Sequence, residues 1–338
     1  MGRHLWISLV VLAGFLFFTG VMEPFAAPVD IKITTVQLRH QQMGVGIERF
    51  AKYAQERLKD KVRVRTYPAA QLYTGQEEAQ AIIKGELEMA YVIASAMDLV
   101  HPSMELWKLP YLFPDIETGY QVMDGPVGKK AFSNVEAKGI SIVGSVSSGI
   151  VVVSNSKHPI KNVEDFKGLK MRSFGPMGAL TLKVLGAMAV VTASEETYSA
   201  LQQGVIDGAT SPGSVFLARK YYEIQKFATN AGMMNSTFGF VIANATWWKN
   251  LPADVKTGLT EVIQRLMKEQ RAEIVAEDKT IFEQIKAKGV QVVTLTPAEE
   301  ATWKKALQSV YTDYGPKIGS EIVKEAQQEV ERLTKGKK

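Results

Sequence analysis

The chain has 338 residues, of which 46% are hydrophobic and 22% are charged, and its formal net charge is +5. These proportions are typical of a globular protein and exclude a disordered, collagen-like or coiled-coil chain. The length predicts two domains, each large enough to bury its own hydrophobic core. The small basic excess is spread along the chain, so no nucleic-acid partner is predicted.

The sequence contains no cysteine. Disulfides, thiolate nucleophiles, cysteine-ligated metal centres and the lipid anchor of a bacterial lipoprotein are therefore excluded. The histidines are scattered, and no two of them have the spacing of metal ligands: His4, His40, His101 and His158. The phosphate-binding and nucleophile motifs of common enzymes are also absent, so we predict no metal, no cofactor and no catalytic residue.

The N-terminus has the pattern of a targeting segment. Arg3 and His4 precede an apolar stretch over residues 5–18, and the small residues Ala26 and Ala27 follow it. This pattern predicts a secretory signal peptide over residues 1–27. The apolar stretch is short for a membrane span, and an uncleaved anchor is the alternative. We expect the mature protein to be exported to the bacterial periplasm.

Strand and helix patterns alternate from the start of the mature chain. Residues 31–35 and 62–66 have the composition of strands, and apolar residues over 47–58 recur at helical spacing between them. A second helix is predicted to end at Gly85, and the apolar residues 87–94 form the next predicted strand. This alternation predicts an α/β fold.

A short internal repeat links the two halves of the chain. Residues 81–90 and 200–209 share the pattern A-[IL]-x-x-G-x-[LI]-[ED]-x-A. In each copy a glycine, Gly85 or Gly204, stands where a helix ends in a left-handed cap before a strand begins. The repeat indicates one such unit in each of two similar lobes that face a cleft. The general sequence preferences of α/β proteins are the alternative explanation.

A long helix is predicted in the last third of the chain. Residues 252–288 have apolar residues at helical intervals and no proline after Pro252. A helix of about 35 residues would be about 50 Å long and would bridge both lobes, unless it breaks near residues 270–273. Thr296 and Glu299 then form a capping box that predicts the start of a C-terminal helix.

Arg172 is the residue with the clearest binding chemistry. It lies in the segment GLKMRSFGP, residues 168–176, at the end of a short predicted strand and before a turn. Ligands of α/β proteins bind at such strand ends. A guanidinium can hold a carboxylate through two parallel hydrogen bonds, which a lysine cannot reproduce. A surface arginine is the alternative interpretation.

Several segments carry a family resemblance: GLKMR at 168–172, LGA at 185–187, ETYSALQQGVIDG at 196–208 and YEIQK at 222–226. In these segments the chain resembles the solute-binding proteins of tripartite ATP-independent periplasmic (TRAP) transporters. Further matches, such as YP at 67–68 and LPYLF at 109–113, extend the resemblance to nearly the whole mature chain.

The resemblance implies a two-lobed α/β periplasmic binding protein fold, with mixed sheets joined by crossing strands and a long lobe-spanning helix. Lobe I is expected to comprise residues 28–149 and 238–277, and lobe II residues 150–237 and 278–330. The implied function is that of a monomeric receptor, not an enzyme, that closes on a small organic acid and delivers it to a TRAP membrane permease. A receptor for a sensor kinase or an ABC transporter is the alternative, and a periplasmic hydrolase or lyase is a more distant one.

The resemblance also implies a set of ligand-binding residues. Arg172 is expected to pair with the ligand carboxylate. Ser211, next to Thr210, stands where many relatives carry an asparagine that also contacts the carboxylate, and a serine hydroxyl can donate one such bond. The remaining candidates lie near positions that line the cleft in relatives, although packing would explain each of them: Gln76, Ser95, Phe216 and Phe238.

One departure from the family pattern concerns the ligand. Many binders of dicarboxylates or sialic acid carry a second arginine just before the Asn-Ser pair, here Asn155 and Ser156, but residues 150–153 are wholly apolar. We therefore expect a monocarboxylate with an apolar body, rather than a C4-dicarboxylate or a sugar acid.

Overall fold

The computed structural model describes residues 27–173, 175–234 and 236–335. The predicted signal peptide, except for its last residue, lies outside these ranges. Within them, no helix combines the length and the apolar character that a membrane crossing requires.

The described chain alternates strands with helices. The strands are β1 (Val29–Thr34), β2 (Val62–Tyr67), β3 (Met89–Ile93), β4 (Ile140–Asn155), β5 (Lys170–Ser173), β6 (Met188–Val191), β7 (Gly208–Pro212), β8 (Phe227–Asn230), β9 (Ser236–Asn244) and β10 (Gln291–Thr294). The first helices are α1 (Gln42–Leu58), α2 (Glu77–Lys84), α3 (Ile116–Asp124), α4 (Pro126–Glu136), α5 (Gly175–Val184), α6 (Thr197–Gln202) and α7 (Gly213–Ala218). The later helices are α8 (Ala245–Asn250), α9 (Ala253–Asp278), α10 (Ile281–Ala287), α11 (Pro297–Ala306), α12 (Gln308–Ile318) and α13 (Ser320–Lys335). Short 3-10 turns lie at Lys59–Lys61, Ala94–Met97, Pro102–Lys108, Val163–Phe166 and Tyr221–Glu223.

The strands join in one mixed, ten-stranded sheet with the order β2-β1-β3-β9-β4-β7-β5-β6, while β8 pairs with β4 and β10 with β8. We call β1, β2, β3 and β9 the first strand group, and β5, β6, β7, β8 and β10 the second. Within each group several pairs are parallel, and β9 and β7 both run antiparallel to β4. The predicted α/β class and mixed sheet are confirmed.

Strand β4 pairs with strands of both groups. Its residues from Ile140 to Ile150 pair with β9, and its residues from Val151 onward pair with β7. The register with β9 is irregular between Ser147 and Ile150, where Gly149 has a φ of 89° that favours glycine. This change of partner supports the predicted lobe boundary between residues 149 and 150, which we retain as a proposal.

The internal repeat forms the same local structure twice. Gly85 follows α2 with a φ of 74°, and Gly204 follows α6 with a φ of 69°. In each copy the next residue donates its backbone N–H five residues back, from Glu86 to Ala81 and from Val205 to Ala200, both at 3.0 Å. These are left-handed helix ends of the Schellman type, as the sequence pattern predicted.

The long helix is present as α9, but it is shorter than predicted. It spans 26 residues, about 39 Å, and ends at Asp278. The break falls at Lys279 and Thr280 rather than near residues 270–273. It lets α10 turn back onto α7, where Ile281 packs so closely on Gly213 that an added Cβ would lie 2.4 Å from Ile281 Cγ1. The predicted capping box of Thr296 and Glu299 is confirmed at the start of α11.

Asp278, the last residue of α9, binds the backbone of β4 where this strand changes partners. Its Oδ1 accepts a hydrogen bond from the Ile150 backbone N–H at 3.0 Å. Burial raises the pKa of the Asp278 carboxyl to about 6, and the charges of Glu277 and Glu117 add to the increase. The folded protein therefore binds the Asp278 proton more tightly than the unfolded chain does.

We expect Asp278→Asn to remove part of the pH dependence of stability. Because the pKa is raised on folding, the contribution of Asp278 is fully present below pH 4 and is lost as the pH rises through about 6. The asparagine still accepts from Ile150 but does not titrate. Urea unfolding at pH 4.5 and 7.5 should therefore show the variant gaining stability relative to the native protein at the higher pH. An equal difference at both pH values would contradict this expectation.

Candidate functional site

Arg172 lies on β5, a strand of the second group that has the edge strand β6 on one side and β7 on the other. Strand β5 is parallel to both β6 and β7, and Arg172 is in register with Val190 and Ala209. It is the third of four residues of β5, and α5 begins at Gly175. The predicted strand end is therefore confirmed, and the side chain leaves the sheet where ligands of α/β proteins bind.

The backbone around Arg172 fixes its side chain. Its Nε donates to the Thr192 carbonyl at 3.1 Å, and its Nη1 donates to the Thr210 carbonyl at 3.3 Å. The residue is only 3% exposed. Burial is the main reason that the pKa of the guanidinium is lowered to about 10; Tyr221 opposes the shift, and the charge of Arg219 adds to it. At neutral pH the group is still a cation.

Arg172 lines a small cavity between the two strand groups, which we call the inner cavity. Its volume is about 30 Å³. One wall comes from the N-terminal part of the chain and from β9: Val36, Gln37, Gln41, Ile93, Ala94, Ser95, Lys108, Thr237 and Phe238. The opposite wall comes from β4 and the second group: Ser148, Arg172, Ser194, Pro212, Val215 and Arg219.

A larger outer cavity of about 490 Å³ adjoins the inner one and shares Arg172 and Ser95 with it. Its walls hold Gln76 at the start of α2 and the acidic side chains Asp98, Glu195 and Glu196. Arg172 therefore lies where the two cavities meet, and carboxylates line the outer one.

The predicted site residues divide into those that line a cavity and those that do not. Ser95 and Phe238 line the inner cavity with Arg172, and Gln76 lines the outer one. Thr210 supports Arg172 through its carbonyl, and its hydroxyl donates to the Arg172 carbonyl at 3.2 Å.

The other two candidates are core residues. The Ser211 side chain is buried, and within the described chain its Oγ has no hydrogen-bond partner. Phe216 is fully buried and packs edge-on against Tyr221 at 6.1 Å between ring centroids. Neither Ser211 nor Phe216 is among the residues that line the two cavities.

Two cations of the inner cavity were not predicted from the sequence, Lys108 and Arg219. Lys108 closes the 3-10 turn Pro102–Lys108, and Arg219 follows the last residue of α7. Each lies at the end of a short segment with no strand-end pattern. A signal was available for Arg219, because α7 directly follows β7, the neighbour of Arg172 in the sheet.

The charge of Lys108 is balanced within the protein. Its Nζ lies 2.6 Å from both oxygens of Asp98 and forms an ion pair with Glu105 Oε2 at 3.2 Å. The Tyr314 hydroxyl donates to the other oxygen of Glu105 at 2.6 Å. Burial raises the pKa of Asp98 to about 7, although the charge of Lys108 lowers it. Lys108 therefore organises a buried polar cluster at the edge of the inner cavity.

The described residues contain no group of three or more potential metal ligands.

The comparisons with known proteins agree with this architecture. Residues 34–317 match the model of the DctP family, bacterial extracellular solute-binding protein family 7. The C4-dicarboxylate-binding periplasmic protein DctP of Rhodobacter capsulatus is 33% identical over 303 residues, which are 88% of this chain and 90% of that protein.

Solved structures show the same fold. A TRAP periplasmic solute-binding protein from Sulfurospirillum deleyianum, with bound succinate, has a TM-score of 0.82 at 31% identity and covers 89% of this chain and 99% of its own. A second one from Ralstonia eutropha, with bound (S)-2-acetolactate, has a TM-score of 0.85 at 27% identity. It covers 90% of this chain and 99% of its own. The chain therefore belongs to bacterial extracellular solute-binding protein family 7, as a periplasmic solute-binding protein of the TRAP type and not an enzyme.

Proposed function

We propose that this receptor binds a small organic acid between its two lobes and that Arg172 holds the carboxylate. The observation that carries the proposal is a buried guanidinium at a strand end, fixed by two backbone carbonyls, on the wall of the inner cavity. A charge-assisted hydrogen bond is strong where water is excluded. The position of Arg172 therefore suits a carboxylate better than a neutral group.

The charges around the two cavities support one orientation of the ligand. The carboxylate faces Arg172 in the inner cavity, because the outer cavity carries Glu195 and Glu196 and would repel it. Apolar side chains beside Arg172 pack against the carbon skeleton: Val36, Ile93, Val215 and Phe238.

Binding requires the lobes to separate. The volume of the inner cavity, about 30 Å³, leaves room for no more than a few water molecules. An organic acid of several carbons does not fit there unless the two walls move apart or the acid extends into the outer cavity. We propose that the acid enters an open form, and that closure then excludes water from the ion pair with Arg172.

The ligands of relatives support an organic acid without identifying it. Succinate is bound in the Sulfurospirillum protein and (S)-2-acetolactate in the Ralstonia protein. The monocarboxylate with an apolar body stays a prediction from the sequence. The apolar wall favours it, whereas Arg219, which was not predicted from the sequence, favours a second polar group on the ligand.

A thermal-shift screen tests the proposed function. The exported protein is heated with monocarboxylates, 2-oxo acids, 2-hydroxy acids, dicarboxylates and sugar acids, each beside its uncharged amide. At a hundredfold excess over Kd a ligand adds about 2.7 kcal/mol to the free energy of unfolding, so at least one acid should raise the melting temperature by several degrees. The matched amide should not. Equal shifts with acid and amide, or no shift with any acid, would contradict a carboxylate receptor.

We further propose that the ligand-bound monomer delivers the acid to a TRAP membrane permease. The resemblance to TRAP solute-binding proteins over nine tenths of the chain supports this partner. Vesicles that contain the permease should accumulate labelled acid only when the ligand-loaded receptor is added. Accumulation at the same rate without the receptor would refute the proposal.

A further inference from the structure

Three polar side chains of the inner cavity carry a buried atom that has no hydrogen-bond partner among the described residues. The atoms are Arg219 Nε, Gln41 Nε2 and Thr237 Oγ1. Buried polar atoms in proteins nearly always have a partner, so each exception needs an explanation. Three of them around one small cavity indicate that ligand oxygens supply the missing partners.

The orientation of Gln41 makes its side chain a donor toward a ligand. Its Oε1 already accepts from the Leu38 backbone N–H at 2.7 Å, and the residue is only 5% exposed. Since the oxygen is engaged, the amide cannot flip without losing that bond. The atom left for a ligand is the Nε2 donor, which requires an acceptor oxygen.

Arg219 is held beside the inner cavity by the end of α7. Its backbone N–H donates to the Val215 carbonyl at 2.9 Å, and Lys220 then turns the chain with a φ of 57°. The next residue, Tyr221, is 1% exposed, and the positive charges of both Arg172 and Arg219 lower the pKa of its hydroxyl against the larger effect of burial. One buried tyrosine therefore lies within electrostatic reach of both guanidiniums.

The charge of Arg219 is not balanced in the way that the charge of Lys108 is. Lys108 contacts two buried carboxylates, Asp98 and Glu105. Among the residues that the structure describes, none forms an ion pair with Arg219, whose Nε also lacks a hydrogen-bond partner. Two guanidiniums on the same wall repel each other unless anionic or strongly polar oxygens lie against them.

We infer that Arg219 is a second ligand-binding residue and that it binds a second acidic or carbonyl oxygen group of the organic acid, together with Gln41 and Thr237. The inference rests on the proposed function, in which Arg172 holds the first carboxylate. It narrows the substrate class to small acids that carry an oxygen group besides that carboxylate. Many relatives carry a second arginine just before the position of Asn155, and this chain does not. Arg219, from another part of the chain, would take its place.

Titration calorimetry with paired probes tests this inference. The pairs are propanoate with pyruvate, butanoate with succinate, and pentanoate with glutarate, so that each pair differs only in the second group. In at least one pair the native protein should bind the acid with two groups more tightly. Arg219→Met should lower the affinity for that acid by about tenfold or more. It should change the affinity for the simpler acid of the pair by less than about twofold.

Matched variants separate the local contact from general effects. Lys220→Met removes one positive charge from the adjacent, exposed residue and should leave every affinity unchanged. Arg219→Lys keeps the charge and should retain part of the preference for the acid with two groups. Melting curves without ligand establish that each variant is folded. If Arg219→Met does not fold, Arg219→Lys still tests the inference.

Each contrary result has a defined meaning. If Arg219→Met lowered the affinity for both acids of a pair equally, both arginines would hold a single carboxylate, and the inference would be wrong. Unchanged affinities in Arg219→Met would remove Arg219 from the site, as would a native protein with no preference in any pair. If Arg172→Ala also left every affinity unchanged, the proposed function itself would have failed, which is a different outcome.

Discussion

Arg172→Ala is expected to weaken binding of the organic acid by about tenfold to a hundredfold. The variant removes charge-assisted hydrogen bonds that contribute about 1.5–3 kcal/mol when the partner is ionised and water is excluded. It also removes the donors to the carbonyls of Thr192 and Thr210. Calorimetric titration with the best acid of the thermal-shift screen measures the effect.

Arg172→Lys separates charge from geometry. Lysine restores a cation but cannot make two parallel hydrogen bonds to a carboxylate, so we expect it to recover only part of the affinity. Arg63→Ala is the matched control, since Arg63 lies on β2, is exposed, and pairs with Asp30 at 3.6 Å. It should bind as the native protein does. Native affinity in both Arg172 variants would refute a carboxylate contact at Arg172.

Local sequence signals predicted the elements that carry Arg172. The glycine of each repeat ends a helix through its own backbone, so the pattern around Gly85 and Gly204 could be interpreted without knowledge of the fold. Strand β5 and the turn after it follow from the segment around Arg172. The proposed binding role of Arg172 did not follow from local signals, because a strand-end arginine is also a common surface residue. The family resemblance favoured the binding role.

Long-range packing explains what the sequence did not reveal. The apolar periodicity continues from Ile274 to Ile281 with no proline or glycine between them, although the helix breaks there. The break depends on contacts far away in sequence, namely Asp278 with Ile150 and Ile281 with Gly213. No pattern confined to residues 252–288 contains that information.

Long-range packing also brings together the side chains of the inner cavity. Gln41, Lys108 and Arg219 come from separate parts of the chain and meet only because the two strand groups face each other across the inner cavity. Phe216, in contrast, does not line the inner cavity. The family resemblance made it a cleft candidate, with packing as the alternative, and it lies in the hydrophobic core beside Tyr221. A position in the segment after β7 therefore did not distinguish Phe216 from Arg219, which does line the inner cavity.

Lys108→Met is expected to lower the free energy of unfolding by about 3–5 kcal/mol, because it leaves two buried carboxylates without their cation. The side chains of Lys108, Asp98 and Glu105 are each 6% exposed. Burial already raises the pKa of Asp98 to about 7, and loss of Lys108 raises it further. At pH 5 the folded variant can hold a proton on this cluster, so its loss of stability should be smaller than at pH 8.

Urea unfolding of the ligand-free protein at pH 5 and pH 8 measures both effects of Lys108→Met. Lys130→Met is the matched control, since Lys130 also contacts two carboxylates, Glu321 at 3.2 Å and Glu325 at 2.9 Å, but on the surface. Water solvates those carboxylates when the lysine is lost, so the control should lose far less stability. Adding Asp98→Asn to Lys108→Met should restore part of the stability at pH 8, because one buried charge is removed. If both lysine variants lost similar stability at both pH values, the Lys108 cluster would not behave as a desolvated ion network, and the raised pKa of Asp98 would have no consequence for folding.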